Sequence, residues 1–87
     1  MDRYHVAWHP TAQGELTIIW IDATNRELVT AASDAIDDEL RFNPRSKGTD
    51  MGNGRYSLDV GPLYIAFEVV DEDRLVRILA VAPIFPE

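Results

Sequence analysis

Three apolar β-type runs in the last third of the sequence, separated only by short turns, constrain the fold most. The runs cover 54–60, 63–70 and 75–81, with Gly61-Pro62 in the first turn and Asp71-Glu72-Asp73-Arg74 in the second. Alternating residues of β type bounded by turn formers are typical of adjacent antiparallel strands. The sequence therefore predicts a three-stranded meander.

The alternation within the meander also predicts which side chains share a face. Positions 56, 58 and 60 of the first run and 63, 65, 67 and 69 of the second are apolar or aromatic. In the third run Arg77 is expected on the same face as Leu75, Leu79 and Val81. Its expected partner is Glu68 across the sheet, because opposite charges on neighbouring strands pair favourably.

One short strand and two helices are predicted before the meander. Alternation of Tyr4, Val6 and Trp8 with smaller or polar residues indicates a strand over 3–8. His9-Pro10 then opens a first helix, since proline costs nothing at the first helical position, and His9 is expected to cap it. The order βααβββ is typical of an α+β sandwich with both helices on one sheet face. The first strand either pairs with the last or lies between meander strands.

The two helices follow each other closely and are predicted to form an antiparallel hairpin. In the first helix Ile18 and Ile21 widen the apolar stripe, which indicates that it is covered on more than one side. The second helix starts near Thr24, where Thr24 and Glu27 have the spacing of a capping box. It ends at Asn43-Pro44, because the residue before a proline avoids the α region.

Residues 43–54 are rich in turn formers and lack periodicity, so they predict a loop of functional or mobile character. The net charge of −7 argues against a nucleic-acid partner, since phosphate binding depends on Lys and Arg. The charge is nevertheless uneven, because 41–55 holds four basic residues and one acid. Those four, Arg41, Arg45, Lys47 and Arg55, are candidate target-binding cations. The alternative is a basic loop that only keeps the chain soluble.

Composition limits the class of protein further. A chain of 87 residues, 46% of them apolar, predicts one small soluble domain with a packed core. The absence of cysteine excludes disulfides and thiolate metal sites and fits a reducing cytoplasm. No apolar run approaches the roughly 20 residues of a membrane span, and the first residues lack the pattern of a secretion signal.

The spacing Gly54-Arg55-x-x-Leu58-x-Val60-Gly61-Pro62-Leu63, with the strand residues that follow it, resembles the C-terminal sheet of the RelE/ParE superfamily. These are small toxins of bacterial type II toxin–antitoxin modules. Trp8-His9-Pro10 with Ala12 is similar to the family's opening, and Ile36-Asp37-x-x-Leu40 before Asn43-Pro44 is similar to its second helix.

This resemblance implies one α+β domain over residues 1–87. Its fold would be an antiparallel helical hairpin packed on a small twisted antiparallel sheet, with a flexible loop over 43–54. One branch of the family cleaves messenger RNA on the ribosome without a metal, and another poisons DNA gyrase. The resemblance therefore implies a toxin component with a cognate antitoxin as partner, the ribosome with its mRNA or DNA gyrase as target, and no cofactor.

The catalytic pattern of the nuclease branch is only partly present. Cleaving RNA needs a base, an acid and cations for the developing charge. Arg55 matches a basic position of that branch and is the candidate catalytic residue, whereas Ser57, Asp59 and Tyr64 stand where further basic residues are usual. No Arg, Lys, His or Tyr follows Arg77.

Three hypotheses follow from the resemblance. The first is a toxin that acts by binding a target, for which Tyr64 and Arg77 join Arg41, Arg45, Lys47 and Arg55 as candidate contacts. The alternatives are an mRNA interferase that uses Arg55, and a degenerate, non-toxic family member. Four apolar positions are expected to be exposed for the antitoxin, namely Ile18, Ile21, Ile84 and Phe85. The acidic body favours an antitoxin segment that carries Lys and Arg.

Overall fold

The chain forms a five-stranded β-sheet with helices packed on one face. The computed structural model describes residues 3–84. The strands are β1 (His5–Trp8), β2 (Thr49–Gly52), β3 (Arg55–Val60), β4 (Leu63–Val70) and β5 (Leu75–Pro83). The helices are α1 (Pro10–Asp22), α2 (Arg26–Leu40) and the one-turn α3 (Pro44–Lys47), with a 3₁₀ turn at Asp71–Asp73. No described helix is long and apolar enough to cross a membrane.

The strand order is β1-β5-β4-β3-β2, so the predicted meander occupies the middle of the sheet. β3, β4 and β5 pair antiparallel, as predicted. β1 lies beside β5, the first of the two places that the sequence left open, with His5 opposite Leu75. The two strands run parallel, because α1 and α2 return the chain to the edge from which β1 started. The sheet is therefore mixed, where a wholly antiparallel one was expected.

The segment 43–54, predicted as a loop, contains both α3 and β2. Pro44 occupies the first turn of α3, where proline is well tolerated. β2 pairs antiparallel with β3, with Thr49 opposite Ser57. Every residue of β2 is exposed, so the strand leaves no alternating burial pattern in the sequence. Its pairing with β3 adds a fifth strand to the four that were predicted.

The core lies between the helices and the facing side of β3, β4 and β5. Phe67 is fully buried at its centre, and its ring stacks on Tyr56 with centroids 5.6 Å apart. The side chain of Trp8 ties β1 to α2, because its indole N–H donates to Asp37 at 3.0 Å. The remaining buried apolar residues are Ala12, Val29, Ala32, Ile36, Leu40, Leu63, Ile65, Val69, Val76, Ile78 and Val81.

A bulge in β5 reverses the faces of the strand's last residues. Phe67 lies opposite Ile78 while the preceding Ala66 lies opposite Ala80, so Leu79 is an extra residue. Val81 consequently faces the helices and is buried, and its predicted place on the face of Arg77 is wrong.

The outer edge of β5 beyond the bulge is closed by side chains. β1 ends opposite Ile78 and leaves the rest of this edge without a neighbouring strand. The Val81 N–H donates instead to the Glu15 carboxylate of α1 at 3.0 Å, and Pro83 has no N–H to offer. Both features remove donors that another strand would need.

The helix caps agree in part with the sequence. Nδ1 of His9 accepts a hydrogen bond from the Thr11 N–H at 3.1 Å, which confirms the predicted cap of α1. α2 is capped by Asn25, whose side-chain oxygen accepts from the Leu28 N–H at 3.3 Å. The capping box predicted at Thr24 is therefore wrong by one residue. Thr and Asn both cap well, and the asparagine side chain satisfies the third N–H of the helix from its own position.

Candidate functional site

The sheet face opposite the helices is the first candidate site, because none of the described elements packs on it. Strand alternation directs alternate side chains of each strand to this open face. From β3, β4 and β5 these are Arg55, Ser57, Asp59, Tyr64, Ala66, Glu68, Val70, Leu75, Arg77, Leu79 and Ala82. Three of the predicted site residues, Arg55, Tyr64 and Arg77, therefore share one surface.

Two arginines flank a glutamate in one cross-strand row of the open face. The register aligns Arg55 with Glu68 and Glu68 with Arg77. Arg77 donates to Glu68 at 2.5 Å, which confirms the predicted ion pair. Arg55 is exposed and makes no ion pair within residues 3–84. The backbones of β3 and β5 are about 10 Å apart, two strand spacings, so Glu68 lies between the two cations.

A second row brings Asp59 opposite Tyr64 and Tyr64 opposite Ala82. Tyr64 is 38% exposed and presents a ring to solvent. Between the two rows the face is lined by the small residues Ser57 and Ala66. Across β3, β4 and β5 the two arginines of the face are balanced by two carboxylates. A phosphate group approaching it would therefore meet no net positive charge.

Arg45, another predicted site residue, is held in a cluster at the end of the sheet. Its guanidinium binds the Asp71 carboxylate at 2.5 Å and donates to the Tyr56 hydroxyl at 2.7 Å. The Tyr4 hydroxyl donates to the same carboxylate at 2.7 Å. The cluster joins α3 to β1, β3 and the turn after β4. Tyr56 points to the helix side of β3, whereas Arg55 points to the open face.

These contacts shift the pKa values of the acidic partners in opposite directions. The Arg45 guanidinium, followed by the Tyr4 hydroxyl, holds the pKa of the Asp71 carboxyl below its usual value. Hydrogen bonding to Asp71 raises the pKa of Tyr4 above its usual value. Each proton therefore stays where the native hydrogen bonds require it at neutral pH.

The other two predicted cations are also paired. Arg41 lies 3.4 Å from Asp38, and Lys47 lies 3.4 Å from Glu39. The basic segment 41–55 is thus largely neutralised by carboxylates outside it. The six predicted site residues do not converge, because Arg55, Tyr64 and Arg77 lie on the open face while the other three hold α2 and α3 in place.

We expect the Asp71→Asn variant to lose thermal stability mainly between about pH 5 and 9. The Asp71 pKa is depressed on folding, so its contribution is complete above the unfolded value of about 3.9 and disappears as pH falls through the folded value. The Tyr4 pKa is raised, so that contribution is lost as pH rises through a value above about 10. Thermal melts across this pH range measure the difference from wild type.

Asp73→Asn is the matched control, since Asp73 lies on the same turn and makes no ion pair or hydrogen bond in the described chain. Its melting temperature should follow that of the wild type at every pH. Parallel profiles for Asp71→Asn and wild type would contradict the assigned role of the cluster.

Apolar side chains on α1 form a second candidate surface. Ile18 is 62% exposed and Ile21 54%, and Ile84 near the end of β5 is 39% exposed. These exposures are as predicted, but within the described chain nothing covers α1 on a second side. Phe85, the fourth predicted position, lies outside the described residues.

Sequence reasoning missed how Trp20 and Arg26 fix the end of α1. Arg26 stacks over the Trp20 ring with its Cζ 4.7 Å from the centroid and donates to the carbonyls of Trp20 and Ile21. The Trp20 indole N–H donates to the Thr30 hydroxyl at 3.2 Å. The available signal was a basic residue just beyond an apolar helix, since arginine often binds the last carbonyls.

No cluster of three or more metal-ligating side chains occurs among residues 3–84. Asp71, the first of three consecutive acids on the turn, is occupied by Arg45 and Tyr4. The described structure therefore offers its chemistry through charge, hydrogen bonds and apolar surface.

Several solved structures are similar to this chain over nearly its whole length. A chain of the RelBE2 toxin–antitoxin complex from Mycobacterium tuberculosis matches with a TM-score of 0.78 at 22% identity, over 95% of this chain and 93% of that one. A chain of the archaeal RelE–RelB complex from Pyrococcus horikoshii matches with a TM-score of 0.69 at 18% identity, over 100% of both. A chain of the chromosomal ParDE system from Pseudomonas aeruginosa matches with a TM-score of 0.67 at 16% identity, over 98% and 100%.

These similarities confirm the predicted fold class, a RelE/ParE-like α+β fold. No protein-family model and no curated protein sequence matches the chain. At these identities the likeness establishes the architecture, and the open face and the surface of α1 are where a function must reside.

Proposed function

We propose that the chain is the toxin component of a bacterial type II toxin–antitoxin module, acting by binding a target and neutralised by a cognate antitoxin. One observation carries the proposal. The RelE/ParE fold extends over nearly the full length of both partners in comparisons with toxin–antitoxin complexes. The proposal places the chain in the bacterial cytoplasm, in keeping with its lack of cysteine.

The exposed apolar residues of α1 support an antitoxin as partner. Ile18 and Ile21 are more than half exposed, and each would gain free energy on burial by another chain. Large exposed apolar patches are typical of protein-binding surfaces. A chain that is stored in complex with a second protein would bury them there.

The open face supports target binding more than RNA cleavage. Arg55, Tyr64 and Arg77 would contact the target, either the ribosome with its mRNA or DNA gyrase. Glu68 neutralises Arg77, and Asp59 faces Tyr64 in the position where a phosphate would need a cation. Cleavage by 2′-hydroxyl attack requires converging proton donors, acceptors and cations, whereas binding requires only a complementary surface.

The test is growth after induction of the chain in a bacterial host, with and without the neighbouring open reading frame. We expect growth arrest with the chain alone and recovery when the neighbouring product is co-expressed. The same vector with a stop codon at Trp8 controls for the transcript. Normal growth together with co-purification of the two proteins would indicate the degenerate, non-toxic alternative, and normal growth without co-purification would contradict the proposal.

An arrest can then be assigned to binding or to cleavage. Ribosome-dependent cleavage of mRNA that is lost in Arg55→Ala would favour the interferase alternative. Intact mRNA during the arrest would favour a toxin that acts by binding. Both assays use the wild-type chain as reference.

A further inference from the structure

An apolar groove of about 290 Å³ lies where α1 and α2 meet the ends of β4 and β5. Its apolar lining includes Ile18, Ala23, Val29, Pro62, Pro83 and Ile84. Asp22 is the charged residue in the lining. The groove thus combines exposed branched side chains with a single carboxylate at its rim.

We propose that this groove is the docking site for a cationic amphipathic helix of the partner protein, which inserts a branched aliphatic side chain between Ile18 and Ile84. The inference rests on the proposed function, in which that partner is the antitoxin. It adds the location of the contact, the secondary structure of the docking segment and its charge.

The charge of the helical layer, defined here as residues 10–40, argues for a cationic partner. This layer contains seven carboxylates and one guanidinium and holds −6 of the chain's net charge of −7. Asp38 and Glu39 are paired with Arg41 and Lys47. Three exposed carboxylates remain without an ion pair in the described chain, those of Asp22, Glu27 and Asp34.

Those three carboxylates lie beside the groove. Asp22 lies on its rim, and Glu27 and Asp34 line an adjoining depression next to Trp20. The one guanidinium of the layer, that of Arg26, is already bound to the carbonyls of Trp20 and Ile21. A docking segment with Lys or Arg beside its apolar residue would therefore find unpaired negative charge on both sides of the groove.

The neighbouring sheet edge argues for a helix over an added strand. A strand that docked along β5 would need backbone donors from its outer edge. The Val81 N–H is bound to Glu15, and Pro83 has no N–H. A helix makes no demand on this edge, because its own backbone groups are satisfied internally and it presents apolar residues at intervals of three and four positions.

The binding experiment uses the product of the neighbouring open reading frame as probe, with affinity measured by titration calorimetry. Ile18→Gln should weaken binding about 10- to 100-fold, because it removes one well-buried aliphatic contact. Asp22→Asn should weaken it about 2- to 5-fold, as expected for an exposed ion pair. Wild-type affinity should fall as salt rises.

Met51→Gln is the matched control, since Met51 is 55% exposed but lies on β2 at the far edge of the sheet. It should bind like wild type. Asp22→Asn should also melt no lower than wild type, because a carboxylate in the last turn of α1 opposes the helix dipole. Weaker binding without lower stability then reports the interface alone.

The outcomes separate the two proposals. Equal binding by Ile18→Gln and wild type, or equal losses in Ile18→Gln and Met51→Gln, would overturn the docking site and leave the proposed function standing. Affinity that is insensitive to salt and to Asp22→Asn would overturn the cationic character of the segment. No binding by the wild-type chain would overturn the proposed function itself.

Discussion

Phe67→Ala is expected to lower the free energy of unfolding by about 3–5 kcal/mol, the cost of removing a buried phenylalanine from a core. Phe67 has no exposed surface, lies in the central strand β4 and stacks on Tyr56. Its loss would leave a cavity between the sheet and α2 that the rigid strands cannot close. Urea unfolding followed by circular dichroism measures the change.

Phe42→Ala is the control for this substitution. Phe42 is 37% exposed and contacts Arg3 at 5.8 Å from the ring centroid. Its truncation should cost less than about 1 kcal/mol, as is usual for surface positions. Similar losses for the two variants would show that Phe67 does not occupy the centre of the core.

Gly48→Ala is expected to destabilise the fold by about 1–3 kcal/mol, the usual cost of overpacking. A Cβ at this position would lie 2.7 Å from the Ser57 carbonyl oxygen and 3.0 Å from the Phe67 ring. The φ of −117° is open to any residue, so the penalty comes from close approach and not from backbone conformation. Because Ser57 lies in the ladder between β2 and β3, it cannot move away cheaply.

Gly14→Ala should have the opposite sign. Gly14 lies inside α1, where an added Cβ would meet no atom within 4 Å. Alanine in a helix interior is favoured over glycine by about 0.5–1 kcal/mol. Thermal melts of the two variants measure both effects, and a Gly48→Ala protein as stable as Gly14→Ala would contradict the close packing of β2 on the core.

Local patterns predicted the middle of the sheet and failed at its edges. β3, β4 and β5 alternate and are joined by short turns, so each strand announces itself and its neighbour. β2 has four exposed residues and becomes a strand only by pairing with β3. No window of the sequence contains that information. The bulge at Leu79 is equally invisible, because the alternation continues through it while the structure reverses the faces.

The candidate site shows the same division. Glu68 and Arg77 lie on adjacent strands joined by a short turn, so their ion pair could be predicted from register. Arg45 and Lys47 were predicted as target contacts because their segment is locally basic. Their partners Asp71 and Glu39 are brought to them by the tertiary fold, and charge counted along the chain cannot identify such pairs.

The pairing of β1 with β5 has a consequence for how the chain matures. The first strand to be synthesised joins the sheet only through the last, and α1 also packs chiefly on β5. Contacts between such distant segments slow folding, since the long intervening chain must first be ordered. During translation β1 and α1 have no partner until residues 75–83 emerge, so the nascent polypeptide stays incomplete, and presumptively harmless to the ribosome that makes it, until synthesis is nearly over.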